Sequence, residues 1–171
     1  MKKFWSVILA LSLCLSFVSC VVDDEPIKEQ TEVKTETANN DEKFGLNETA
    51  AFKNLKFTAT EFKESYGKKF FEPNDGNVFV GIKFIVENIS DEDQTVSTLL
   101  LFNGYADDVK LEYSFSAACA FDEGTLDGTI APGKKLIGWC AYEVPKNWST
   151  IELQVQSTWL LSNSAKFVFA K

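Results

Sequence analysis

The chain has 171 residues, about one domain's worth, with a formal net charge of −8, 45% hydrophobic residues and 15 Phe. All 17 basic residues are Lys, and His and Arg are absent. That removes Ser-His-Asp and Cys-His nucleophiles, His-based metal cages and bidentate arginine clamps on phosphate or carboxylate, and the acidic balance argues against a nucleic-acid partner, which needs a concentrated basic face.

Residues 1–19 read as a signal peptide. Lys2 and Lys3 make a basic start, Phe4 to Val18 is a mostly apolar run, and Ser19-Cys20 closes it with small residues. Phe17-Val18-Ser19-Cys20 resembles the bacterial lipobox, with Phe17 where Leu is usual, so Cys20 is the expected lipidation site and first mature residue. An uncleaved membrane anchor is the alternative, since Phe4 to Val22 is just long enough to span. Both readings export everything after residue 20. The expected location is therefore extracytoplasmic, on the cell membrane or, since Val21 rather than Asp follows Cys20, an outer membrane.

Residues 20–49 read as an acidic linker. Between 21 and 49 stand nine acids and three lysines, with Phe44 the single aromatic. Such a stretch buries too little apolar area to offset its ordering entropy, so a disordered, self-repelling tether is expected.

From residue 50 to 171 the pattern has period two. In Val78-Phe79-Val80-Gly81-Ile82-Lys83-Phe84-Ile85-Val86-Glu87 the even positions form an unbroken apolar face, Leu111 to Phe121 repeats the pattern at odd positions, and Ile151, Leu153 and Val155 alternate with polar residues. Further strands are expected at 52–62, 95–102, 126–130, 134–144 and 166–170. Turn residues separate them at Pro73-Asn74-Asp75-Gly76, Asn88-Ile89-Ser90, Asn103-Gly104, Asp127-Gly128 and Pro132-Gly133. No helical period is sustained. The expected fold is all-β, an immunoglobulin-like antiparallel β-sandwich of about seven to eight strands.

Phe71-Glu72-Pro73, the strand Gly76 to Val86 with Asn88-Ile89-Ser90, Pro132-Gly133, Gly138 and Tyr142-Glu143-Val144-Pro145 carry a family likeness. Together they resemble a bacterial lipoprotein domain of unknown function whose immunoglobulin-like sandwich is similar to that of a secreted mycobacterial antigen. The resemblance spans roughly residues 50–170 and implies an extracytoplasmic sandwich with no assigned reaction.

Few residues could carry chemistry. By strand parity Cys119 and Cys140 both face inward, which in an oxidising compartment makes them disulfide candidates; the alternative is two buried, inert thiols. The acidic loops Asp91-Glu92-Asp93, Asp107-Asp108 and Asp122-Glu123 with Asp127 could offer oxygens to calcium, but they lack EF-hand spacing, and solvated loops are expected rather than a metal site. Trp139, Trp148 and Trp159 are either core or a surface for a partner. No cofactor motif is present. The leading expectation is a non-catalytic envelope lipoprotein that binds an unidentified protein or small molecule and meets the membrane through Cys20. An extracytoplasmic carrier of a lipid or small apolar ligand is the rival. A small hydrolase, for instance one built on Ser164 and Lys166, comes last.

Overall fold

The computed structural model describes residues 27–29, 42–158 and 164–171. The expected signal peptide, Cys20 and Trp159 lie outside the described residues. In chain order the elements are β1 (Ile27–Glu29), β2 (Lys43–Phe44), β3 (Thr49–Ala51), β4 (Leu55–Ser65), β5 (Asn77–Asn88), β6 (Gln94–Val96), α1 (Thr98–Leu101), β7 (Phe102–Ala106), β8 (Val109–Lys110), α2 (Phe115–Ala120), β9 (Gly128–Ile130), β10 (Lys135–Pro145), β11 (Thr150–Gln156) and β12 (Ser164–Ala170).

One sheet runs β1-β3-β4-β5-β10 and a second β2-β12-β11-β7-β8, with β6 and β9 paired separately. All pairings are antiparallel except β2 with β12. This is the β-sandwich that the period-two pattern predicts. Val78, Val80, Ile82, Phe84 and Val86 of β5 are buried between the sheets, opposite Ile151, Leu153 and Val155 of β11 and Ala165, Phe167 and Phe169 of β12. Phe rings fill the intersheet layer: Phe84 lies 5.1 Å from Phe167 and 5.5 Å from Phe102, and Phe57 lies 6.0 Å from Phe102, all edge-on.

A bulge keeps β4 in phase with this core. The β4–β5 register shifts between Ala59 and Glu61, so Thr60 is the extra residue, its hydroxyl donating to the Lys83 carbonyl at 3.3 Å. Without the bulge, unbroken alternation from Leu55 would turn Glu61 rather than Phe62 inward.

Three sequence expectations need correction. Residues 115–120 form a helix rather than a strand, because the Ser114 hydroxyl caps the Ala117 amide and small Ala and Cys side chains suit either period. Thr98–Leu101 is likewise helical, although 95–102 reads as a strand. The folded region also begins before residue 50. β1, β2 and β3 lie wholly or partly within the expected 20–49 linker, and Phe44, its one aromatic, is core, 5.3 Å from Phe167.

Candidate interaction surface

Part of the outer face of the first sheet is covered rather than open. β5 and β10 point Phe79, Trp139 and Ala141 outward, and α2 with Phe121 closes over them. Phe121 stacks on Trp139 at 4.8 Å, and Gly81 makes the approach possible, since a Cβ there would sit 2.6 Å from the Phe121 ring. Lys83 bridges Glu123 at 2.6 Å and lies 5.9 Å from the Trp139 ring. The Lys83 hydrogen bond holds the Glu123 carboxyl below its ordinary pKa despite some desolvation.

Trp148 is also enclosed. Its Nε1 donates to Glu64 at 2.7 Å, its ring lies 5.5 Å from Phe62, and the Lys171 ammonium stands 4.9 Å above it. Lys171 also pairs with Glu64 at 3.0 Å. The Lys171 hydrogen bond, opposed by desolvation and aided by Trp148, lowers the Glu64 pKa. With exposures of 5% and 3%, Trp139 and Trp148 are core, not the partner surface their residue type allowed.

Cys119 and Cys140 are both free, so the expected disulfide is absent. Helix α2 is the physical reason. It places Cys119 on the outer side of the sheet, whereas Cys140 of β10 points into the intersheet core. There the Cys140 thiol donates to the Tyr142 hydroxyl at 3.5 Å, and burial pushes its pKa up to about 12, so it is unreactive. Burial also raises the Tyr142 phenol.

The acidic loops hold the fold together. Asp107 and Asp108, at φ +46° and +68°, form the two-residue β7–β8 turn, and the Asp107 carboxylate accepts the Ser149 and Thr150 amides at 3.0 and 2.8 Å. Asp127 accepts the Thr98 amide and hydroxyl, each at 2.8 Å, capping α1 from across the chain. Burial raises the Asp127 carboxyl, but hydrogen bonds from Thr125, Thr98 and Ser97 outweigh it and leave the pKa below normal. Glu143 behaves alike, desolvation being overcome by Asn77 and Asn74. Asp122 pairs with Lys68 at 3.5 Å, and Asp91, Glu92 and Asp93 have exposed side chains. Among the described residues no three His, Cys, Asp or Glu side chains are gathered as a metal cluster.

The Asn88-Ile89-Ser90 turn is explained by buried Asn88. Its amide donates to the Glu92 and Ile130 carbonyls at 2.7 and 2.8 Å, and its oxygen accepts from the Ser90 amide and hydroxyl. One side chain thus joins the end of β5 to β9.

Among the described residues, two open surfaces could meet a partner. The solvent face of the second sheet holds a polar depression of about 550 Å³ lined by Tyr105, Asp107, Asp108, Thr150, Glu152, Gln154 and Lys166. The β4–β5 loop and the start of α2 expose Tyr66, Phe70 and Phe115. Sequence reasoning missed this second surface, although Lys68-Lys69-Phe70-Phe71, which alternates with nothing, was the available signal.

Two stacked sheets, with α2 laid on the outer face of the first, define a β-sandwich domain. The chain belongs to the family described as Domain of unknown function (DUF4352), which matches residues 44–166. No curated protein sequence matches the chain. Among solved structures it is similar to a candidate lipoprotein of Bacillus subtilis (TM-score 0.55, 17% identity, 68% of this chain), of which it spans only 36%. An uncharacterised β-sandwich protein of Clostridium difficile aligns at TM-score 0.51 and 17% identity over 81% of this chain and 99% of that one. A candidate lipoprotein of Staphylococcus aureus aligns at TM-score 0.51 and 17% identity, over 71% and 87%. At these identities the likeness concerns the fold.

Proposed function

We propose that this chain is a non-catalytic cell-envelope lipoprotein, a β-sandwich held to a membrane by lipid on Cys20 and working by binding a partner outside the cytoplasm. The observation that carries the reading is Phe17-Val18-Ser19-Cys20 at the end of a basic-then-apolar N-terminus, ahead of a sandwich that two candidate lipoproteins share. The relationship to the sandwich of a secreted mycobacterial antigen belongs to the same proposal. The carrier alternative needs room between the sheets, where Phe57, Phe84, Phe102 and Phe167 are packed ring against ring. For a hydrolase, Ser164 and Lys166 stand on the solvent face of β12, alternating with buried Ala165 and Phe167.

Fractionation of cells producing the wild-type chain and Cys20→Ala tests the proposal. Wild type should travel with membranes and incorporate labelled fatty acid, and Cys20→Ala should lose the label. Equal labelling of both, or wild type in the cytosol, would refute it.

A further inference from the structure

Phe70, at 84% exposure, is the most exposed large apolar side chain among the described residues. Lys68 and Phe71 exchange two backbone hydrogen bonds, of 3.0 and 2.7 Å, leaving Lys69 and Phe70 at the apex of a tight turn. Phe70 adopts φ +73°, a left-handed conformation that bulky residues avoid and glycine accepts freely. Behind it Gly67, at φ +82°, has no room for a side chain: a Cβ would meet the Phe71 carbonyl at 2.1 Å.

Other rings gather at this apex. Phe71 meets Phe115 edge-on at 6.1 Å, and Phe115 and Tyr66 are 64% and 68% exposed. The ammonium of Lys69 lies 5.1 Å from the Phe70 ring and that of Lys146 lies 5.7 Å from Tyr66. Lys68 pairs with exposed Asp122 across 3.5 Å, a contact that water readily replaces. Residues 65–71 carry two lysines and no carboxylate in a chain of net charge −8.

Folding gains little from a ring held in water on a strained backbone, so the gain must come from something that covers it. Aromatic rings flanked by lysines suit the headgroup layer of a bilayer, where the rings reach the acyl boundary and the ammonium groups meet phosphates. A convex turn tip also offers far less than the ~800 Å² per partner of a stable protein interface, whereas a fluid bilayer deforms around it. The geometry points to the 66–71 turn, with Phe115, as a docking tip for the interface of an anionic phospholipid bilayer. This contact extends the envelope reading but does not require lipid on Cys20.

The full chain reconstituted in phosphatidylglycerol or phosphatidylcholine vesicles gives the test, read as amide hydrogen exchange at residues 66–71. Exchange there should be slower on phosphatidylglycerol. Lys69→Gln should weaken this protection about fivefold, the loss of one lysine at an anionic surface. Phe70→Gly should abolish it while leaving the unfolding midpoint equal or higher, because glycine relieves the backbone. Equal exchange on both vesicles, or protection that survives Phe70→Gly, would overturn the proposal. So would protection that appears with rising protein concentration and no vesicles, since contact between copies would then be the cause. None of these outcomes alters the fatty-acid labelling of Cys20, so this inference and the anchor fail separately.

Discussion

At the scale of single residues, the fold depends on groups whose environment allows no substitute. Asn88 is fully buried with four side-chain hydrogen bonds. Asn88→Ala should therefore cost about 3 kcal/mol, since the Ile130 carbonyl loses its donor inside the protein, while that of Glu92 keeps the Ser90 hydroxyl. Urea unfolding measures that loss. Gly81→Ala should destabilise by about 1–3 kcal/mol by driving Phe121 off Trp139, and the change in Trp fluorescence would report the displacement. The two thiols separate cleanly. Alkylation of the native protein, followed by peptide mapping, should modify half-buried Cys119 before buried Cys140, and denaturation should release both. A bridged Cys119–Cys140 peptide would contradict the structure.

At the scale of elements, the sequence reveals strands well wherever the side chains alternate between large apolar and charged. β11 is of that kind and buries its odd face as read, whereas β5 and β10 bury their even faces between the sheets and part of their odd faces beneath α2 and Phe121. Ser114-Phe115-Ser116-Ala117-Ala118-Cys119-Ala120 is not. Its residues are small, so a two-residue alternation and a helical face look alike, and the Ser114 cap decides between them. Short α1 is set by a carboxylate 29 residues away, Asp127, which no local pattern can announce. Strand parity over 115–120 also turns Cys119 inward, whereas helix α2 carries it to the outer side of the sheet, away from Cys140. Trp139 and Trp148 were ambiguous for a similar reason: their burial depends on α2 and on Glu64 with Lys171, which come from distant parts of the chain. Asp127→Ala should cost about 1 kcal/mol, as the loss of a helix cap does, measured by urea unfolding at neutral pH.

At the scale of the whole molecule, acid should weaken the fold. Glu64, Glu123, Asp127 and Glu143 all have pKa values lowered by folding. The unfolded chain therefore takes up protons first, at the ordinary values of 4.5 for Glu and 3.8 for Asp. The stability these groups supply is complete above that range and drains away as the pH falls through the folded-state values. The urea midpoint should fall on acidification through this window, and Glu64→Gln should show a smaller fall than wild type. The same scale holds the largest inference from sequence, that an acidic segment leads from a lipid-bearing cysteine into a sandwich. The folded part begins earlier than the composition suggests, because Phe44 packs against Phe167 and β2 joins the second sheet.

The intact mass of the protein recovered from membranes of producing cells tests this arrangement most directly. A chain beginning at Cys20, heavier than residues 20–171 by the mass of its acyl groups, is the predicted result. An unmodified chain that still carries residues 1–19 and is recovered from the cytosol would contradict it.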